Sequence, residues 1–358
     1  MKVAFIARST LFSSWGGDTT QIQKTAEHLR LLGIHIDIHL SSDKIDYDQY
    51  DLFHFFNIIR PADILRHTKY INKPFVVSTI FLDYGEFEQQ ARGGFIGLLN
   101  KVLPQDTIEY CKVIARRLLN GERIQSWQYL WRGHARSILK IVKDAAILLP
   151  NSHSEYQRFL KRYKIKEAPY AVVPNGVDPS LFKENITTKK NKNAVLCVAR
   201  IEGRKNQLNL IKALNNTKYT LYIIGNPSPN NQKYYDQCKL AAADNIVFKG
   251  YVSLDELLEI YQSAEIHVLP SWFETTGLSS IEAALAGCNI VITAKGDTQE
   301  YFEDHAFYCE PDDIESIKKA IDHASEAPPP TLLIKKINEQ YTWAAAADAT
   351  LKAYKQVL

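Results

Sequence analysis

The sequence predicts an α/β protein built from two parallel-sheet domains, and three observations carry that prediction. Short apolar runs rich in β-branched and aromatic residues alternate with longer segments of helical spacing. This rhythm stops at a turn-rich segment, "YAVVPNGVDPSLF" at 170–182, and then begins again. The chain, at 358 residues, also exceeds the length that one hydrophobic core usually supports.

In the first half, "KVAFIA", "HIDIHL", "DLFHFF", "PFVVSTIF" and "AAILLP" read as strands. Between the first two, "TTQIQKTAEHLRLLG" sets Ile22, Ala26 and Leu29 at helical spacing and stops at Gly33. The stretch from Gly85 to Lys143 breaks the alternation with a long helical pattern that is aromatic and basic. It holds ten Lys or Arg against five Asp or Glu, interspersed with Trp127, Tyr129 and Trp131. Such a segment fits an ordinary helical insertion with a solvated basic face, or a contact with a membrane surface or lipid-linked acceptor.

In the second half, "AVLCVAR", "YTLYIIG", "NIVFKGY", "AEIHVLP" and "NIVITA" read as strands. Helical segments are expected at Gln207–Asn215, Tyr234–Ala243, Ser253–Ser263 and Ser279–Ala286. Ser253 with Glu256, and Ser279 with Glu282, match the S-x-x-E capping box. The terminal "YTWAAAADATLKAYKQVL" is an amphipathic helix that needs a surface to dock on. Alternation of this kind implies two Rossmann-like domains facing each other, with boundaries at 1–173 and 174–338 and a terminal helix at 339–358.

Composition removes several classes of function. A net charge of +3 is too small to argue for nucleic acid. The five cysteines (Cys111, Cys197, Cys238, Cys288, Cys309) are scattered, without C-x-x-C, and read as free thiols of a reducing compartment. The opening "MKVAFIARST" reads as a first strand and not as a signal peptide, and no apolar run reaches the length of a bilayer span. A soluble cytoplasmic protein is the expectation. Asp46 and Asp48 form a D-x-D in a polar loop without a preceding apolar strand, and the histidines show no ligand spacing, so no metal is expected.

In open parallel sheets, ligands bind beyond the carboxyl ends of strands. After the first strand, Gly16 and Gly17 open a helix and would let a ligand approach its amides. They are not the G-x-G-x-x-G fingerprint, which disfavours a nicotinamide enzyme. After the first strand of the second half stand Arg200 and Lys205. Basic groups at a helix start oppose its dipole but suit an anion, with a bidentate fork from Arg and a point charge from Lys. After "AEIHVLP", the stretch "FETTGLSSIEAALAG" places Glu274 and Glu282 around Gly277 and the helix start at Leu278. Helix-start amides can hold a diphosphate, and acceptor-only carboxylates suit sugar hydroxyls.

Taken together, the two Rossmann-like halves, Gly16-Gly17, Arg200 with Lys205, and E-x7-E from Glu274 to Glu282 resemble the GT-B glycosyltransferases of family four. The likeness covers nearly the whole chain and is strongest from "VVPNGVD" to "YCEPDD". It implies a retaining transfer of a hexose from a nucleoside-diphosphate sugar to an acceptor hydroxyl, in bacterial polysaccharide, lipopolysaccharide or glycolipid synthesis. No cofactor or metal is implied. Arg200 and Lys205 would bind the donor diphosphate, Glu282 its ribose and Glu274 the transferred sugar. Gly277 and Leu278 would line the phosphates, Gly16 and Gly17 would close over the donor, and Gly225 and Val252 would lie near the base. The first domain would take the acceptor, a glycan or a lipid-linked one, with the inner face of a membrane as a peripheral partner. The helix around Trp343 would cross back to that domain. Many members carry a histidine where this chain has Phe81, so Asn57, Phe81 or Asp83 would take over the sugar or acceptor contact. An epimerase or phosphorylase of the same fold, or a non-catalytic binder of nucleotide-sugar, remains the alternative.

Overall fold

The computed structural model describes residues 1–13, 15–82, 107, 110, 126–182, 190–228 and 230–358. The chain divides into two compact units, residues 1–176 with 343–358, and residues 177–342.

Unit 1 is a parallel sheet of β1 (Lys2–Ala7), β2 (His35–Leu40), β3 (Leu52–Phe56), β4 (Phe75–Ser78) and β5 (Ile147–Leu149), in the order β2-β1-β3-β4-β5. All five residues of β3 are buried, as a central parallel strand covered on both faces must be. Helices α1 (Gly17–Leu31), α2 (Pro61–Thr68), α3 (Trp127–Asp144) and α4 (His153–Tyr163) connect or cover the strands. The core is unusually aromatic, with Phe53, Phe55, Phe75, Phe81, Tyr156 and Phe159 packed together.

Unit 2 contains β6 (Asn191–Val198), α5 (Gln207–Leu214), β7 (Thr220–Ile224), α6 (Gln232–Ala241), β8 (Ile246–Gly250), α7 (Leu254–Ser263) and β9 (Ala264–Leu269). It continues through α8 (Leu278–Leu285), β10 (Asn289–Thr293), α9 (Thr298–Phe302), β11 (Phe307–Cys309), α10 (Ile314–Glu326) and α11 (Thr331–Gln340). The strand order is β11-β10-β9-β6-β7-β8, all parallel. The chain therefore runs outward from β6 through β8, returns beside β6 at β9, and runs outward the other way. That reversal is a topological switch point, where connecting helices leave in opposite directions and open a crevice. In unit 1 the corresponding point lies between β1 and β3.

The last helix, α12 (Trp343–Val357), belongs to unit 1, where it packs on α1 and β5. Its fully buried Tyr354 hydroxyl lies 2.6 Å from Nδ1 of buried His54 on β3, whose Nε2 is 2.8 Å from Ser78 Oγ. Burial lowers the His54 pKa to about 3, so the imidazole is neutral and joins helix to sheet without a charge.

The structure corrects three sequence expectations. The run 74–81 is a strand only to Ser78, because Ile80 takes φ of 43° and turns the chain out of the sheet. A three-residue strand, β11, lies in a stretch not expected to pair. Helix α8 begins at Leu278, as expected, but is not capped by Ser279: Gly277 is its N-cap in the left-handed conformation, with φ of 66° and no side-chain cap. At Ser253 the expected cap forms, its hydroxyl accepting from the Glu256 amide.

Candidate functional site

The switch point of unit 2 gathers the charges. Beyond β6, a short 3-10 turn at Gly203–Lys205 precedes α5 and carries Arg204 and Lys205. Lys205 Nζ donates to Glu274 Oε2 at 2.6 Å, and Ser271 Oγ donates to the same oxygen at 3.1 Å. The two charged residues are 69 positions apart in the chain and come from the loops after β6 and β9. Glu274 is nearly buried, at 9% exposed, so this pair lies in a partly dehydrated setting where electrostatics act strongly.

The backbone fixes Glu274 as firmly as its side chain does. Its amide donates to the Lys295 carbonyl and its carbonyl accepts from the Asp297 amide, both at 3.0 Å. Between them, Gly296 (φ 108°) lies so close that a Cβ there would sit 1.9 Å from the Glu274 carbonyl oxygen. Only glycine fits. The sequence reading missed Gly296; "AKGDTQE" signals a turn, but nothing local says what it meets. Gly277 serves a similar end three residues on. A Cβ there would meet Ile292 Cδ1 at 3.0 Å and Glu274 Cγ at 3.5 Å, and Leu278 opens α8 immediately after it.

Glu282 lies on the second turn of α8, where its carboxylate accepts from the hydroxyl of fully buried Tyr261 on α7 at 3.2 Å. Burial pushes the Glu282 carboxyl up to about 7, against the lowering effect of the Tyr261 hydrogen bond. This carboxylate therefore faces a tyrosine, and not the helix-start amide that the S-x-x-E pattern suggested. Buried His267 on β9, also missed from sequence, has Nδ1 3.3 Å from Ser280 Oγ. Burial, aided by the Lys205 charge, lowers its pKa to about 3 and keeps it neutral beneath the site.

Arg200 follows β6 with its side chain 45% exposed, and its carbonyl accepts from Gln207 Nε2 at 3.0 Å. Gly225, at the end of β7, adopts φ of 132° and approaches so closely that a Cβ would lie 2.1 Å from the Ala199 carbonyl oxygen. Val252 is half-buried two residues past β8.

In unit 1, Gly16 is the N-cap of α1 and Gly17 its first residue. The loop before them is held by Arg8, which donates to both Asp18 carboxylate oxygens at 2.6 and 3.0 Å and to the Thr10 carbonyl at 2.8 Å. Asn57 stands just past β3 with φ of 73°, and its buried Oδ1 has no hydrogen-bond partner. Such an orphan at a strand end is a place for a ligand hydroxyl or a water. Phe81 is not. Its ring is 4% exposed, packs on Phe159 and Tyr163, and its amide donates to buried Glu155 at 2.7 Å. A ring used in the core cannot face a sugar, so that expectation is withdrawn. Asp83 lies outside the described residues. Among the described residues, no group of three or more His, Cys, Asp or Glu is placed to hold a metal ion, and no helix is long and apolar enough to cross a membrane.

Residues 180–341 match the family model of the glycosyl transferases group 1. An uncharacterized glycosyltransferase of Methanocaldococcus jannaschii is 25% identical over 248 residues, covering 62% of this chain and 63% of the relative. The O-antigen chain mannosyltransferase RfbU of Salmonella typhimurium is 26% identical over 204 residues, covering 56% and 57% respectively. These alignments span less than two thirds of either relative. Among solved structures, sucrose-phosphate synthase from Thermosynechococcus elongatus superposes with a TM-score of 0.74 at 16% identity, covering 99% of this chain and 98% of that one. Anabaena HepE in complex with UDP gives 0.72 at 14% identity, covering 99% and 100%. The chain thus has the GT-B fold, and most of its second unit, residues 180–341, is similar to the glycosyl transferases group 1.

Proposed function

We propose that the protein is a retaining glycosyltransferase that moves a hexose from a nucleoside-diphosphate sugar to an acceptor hydroxyl. The observation that carries this reading is the Lys205–Glu274 pair at 2.6 Å, placed with Arg200 at the switch point of a unit similar to the glycosyl transferases group 1. When the bond from sugar to phosphate breaks, negative charge develops on the diphosphate and positive charge on the sugar. Arg200, Lys205 and the amides opening α8 would stabilise the first, and the Glu274 carboxylate would accept from sugar hydroxyls. Glu282 would take the ribose. Cations of the chain itself supply what a metal would, and the reaction is proposed to need no cofactor.

The acceptor is assigned to unit 1, with a glycan or lipid-linked chain as the candidate, in polysaccharide, lipopolysaccharide or glycolipid synthesis. The mannosyltransferase among the relatives supports that class. Exposed Trp127 and Trp131 on α3, with Arg132 and Arg136, support a peripheral contact at the cytoplasmic face of a membrane. Incubation with UDP-, GDP- and ADP-sugars, with and without candidate glycan and lipid acceptors and with EDTA present, tests the reading. Nucleotide release that depends on acceptor and survives EDTA is expected. Release or isomerisation without acceptor would instead identify a phosphorylase or epimerase.

A further inference from the structure

Glu202 lies where the loops after β6 and β7 are zipped together. The Ile201 amide donates to the Asn226 carbonyl at 2.9 Å, and the Ser228 amide to the Ile201 carbonyl at 3.2 Å. The Glu202 carboxylate is buried in this seam, 5% exposed. Its Oε2 accepts from Ser228 Oγ at 3.0 Å, while its Oε1 accepts from Arg204 Nη2 at 2.9 Å and lies 3.7 Å from Arg200 Nη2. The two guanidiniums thus share one carboxylate oxygen, Arg204 by a hydrogen bond and Arg200 by an ion pair, and their side chains remain 30% and 45% exposed. Burial opposes ionisation of Glu202, but Arg204, Arg200 and Lys205 outweigh it and hold the carboxyl below its ordinary range. The Arg204 backbone is fixed too, its carbonyl accepting from the Trp272 amide of the Glu274 loop at 3.0 Å.

We propose that Glu202 is a positioning residue that holds Arg200 and Arg204 side by side on one diphosphate, making Arg204 a third cation of the site beside Lys205. The proposal rests on the donor reading above only in taking the anion to be a diphosphate. A buried carboxylate that merely balanced charge would weaken anion binding, and removing it would tighten that binding by Coulomb attraction. A clasp has the opposite signature. Without it the guanidiniums lose their common orientation, and a pair of bidentate forks becomes two mobile charges.

The test is calorimetric titration of inorganic pyrophosphate into the full chain, in four forms: wild type, Glu202→Gln, Arg200→Ala/Arg204→Ala, and the triple variant. Thermal unfolding is monitored in parallel. Glu202→Gln is expected to bind pyrophosphate roughly tenfold or more weakly, the scale of a lost charged hydrogen bond. Glutamine should cost nothing further once both arginines are gone. Equal or tighter binding by Glu202→Gln overturns the proposal, and so does a wild type that does not bind pyrophosphate. A loss that persists undiminished in the double-arginine background also overturns it, since Glu202 would then act only as scaffold. If the titrations behave as expected while no nucleotide sugar is turned over, the clasp stands and the glycosyl-transfer reading falls.

Discussion

Glu282 is a carboxylate whose proposed binding role and fold stability should pull in opposite directions, and Glu282→Gln separates the two. Its carboxyl is raised from 4.5 to about 7 by burial, while Tyr261 donates to it. At 1.36 kcal/mol per decade, ionised Glu282 costs the empty protein about 3 kcal/mol, an upper bound for a half-buried group. The sign follows from linkage. A carboxyl raised on folding binds its proton more tightly in the native state, so its contribution is fully favourable below pH 4.5 and is lost as pH rises through 7. Glutamine keeps the shape and still accepts from Tyr261 but carries no charge. Without ligand, wild type and Glu282→Gln should therefore unfold at similar temperatures near pH 4.5. At pH 8 the variant should be the more stable by up to about 3 kcal/mol, or about 6–12 °C for a unit of this size. Nucleoside diphosphate binding should move the other way. The variant should bind more weakly by about 1.5–3 kcal/mol, having lost a charged acceptor for hydroxyls. Wild-type affinity should rise with pH through about 7 and the variant's should not. Differential scanning calorimetry and titration calorimetry across pH 4.5–8.5 measure both. A stability gap that does not change with pH, or a variant less stable at pH 8, would refute the reasoning.

Three further outcomes follow from the same geometry. Lys205→Ala removes the cation beside Glu274 and should raise the barrier by about 3–4 kcal/mol, a hundredfold or greater loss of kcat in steady-state kinetics; a change of less than about fivefold would remove Lys205 from the diphosphate. Gly296→Ala forces a Cβ into the Glu274 carbonyl and must displace that loop, so kcat should fall by an order of magnitude or more while nucleoside diphosphate, held largely by other groups, still binds. Unchanged kcat would mean that the position of Glu274 is immaterial. Tyr354→Phe deletes the hydroxyl beside His54 and leaves a buried imidazole nitrogen without its partner, costing about 1–3 kcal/mol in chemical denaturation and loosening α12, which faster amide exchange in 343–357 would report.

The strands of both units, β11 excepted, were legible because each is a short run of β-branched or aromatic residues bounded by turn residues, and the order of sequence segments implied parallel pairing. Arg200, Lys205 and Glu274 were legible for a related reason. Each stands just beyond a strand, and the strand-end rule discards most other charges in the chain. What stayed hidden was whatever depends on contacts between distant segments. Phe81 looks like the last residue of a strand that presents a ring to the site. Glu155, 74 residues later, captures its amide, and the positive φ of Ile80 turns its ring inward onto Phe159. No local pattern announces either event. Glu282 shows the converse, where a local pattern was present and lost. S-x-x-E describes a cap that can form when a serine precedes the helix, but Gly277 already takes the N-cap position, and the carboxylate is left for Tyr261.

That outcome explains why a costly carboxylate sits where it does. A Glu282 used as a cap would be solvated, ionised at neutral pH and occupied by its own helix, leaving little to offer a ligand. Held instead by one donor from Tyr261, it keeps acceptor capacity unused and carries a desolvation penalty that a hydroxyl-bearing ligand can relieve. Lys205 and Glu274 solve the same problem differently. Their mutual contact neutralises two partly buried charges in the empty protein, and the lysine ammonium can still donate to an arriving phosphate. The stability that Glu282 costs and the affinity it should confer thus arise from one cause, incomplete satisfaction of a half-buried carboxylate. A variant that removed the penalty and kept the affinity would break that link.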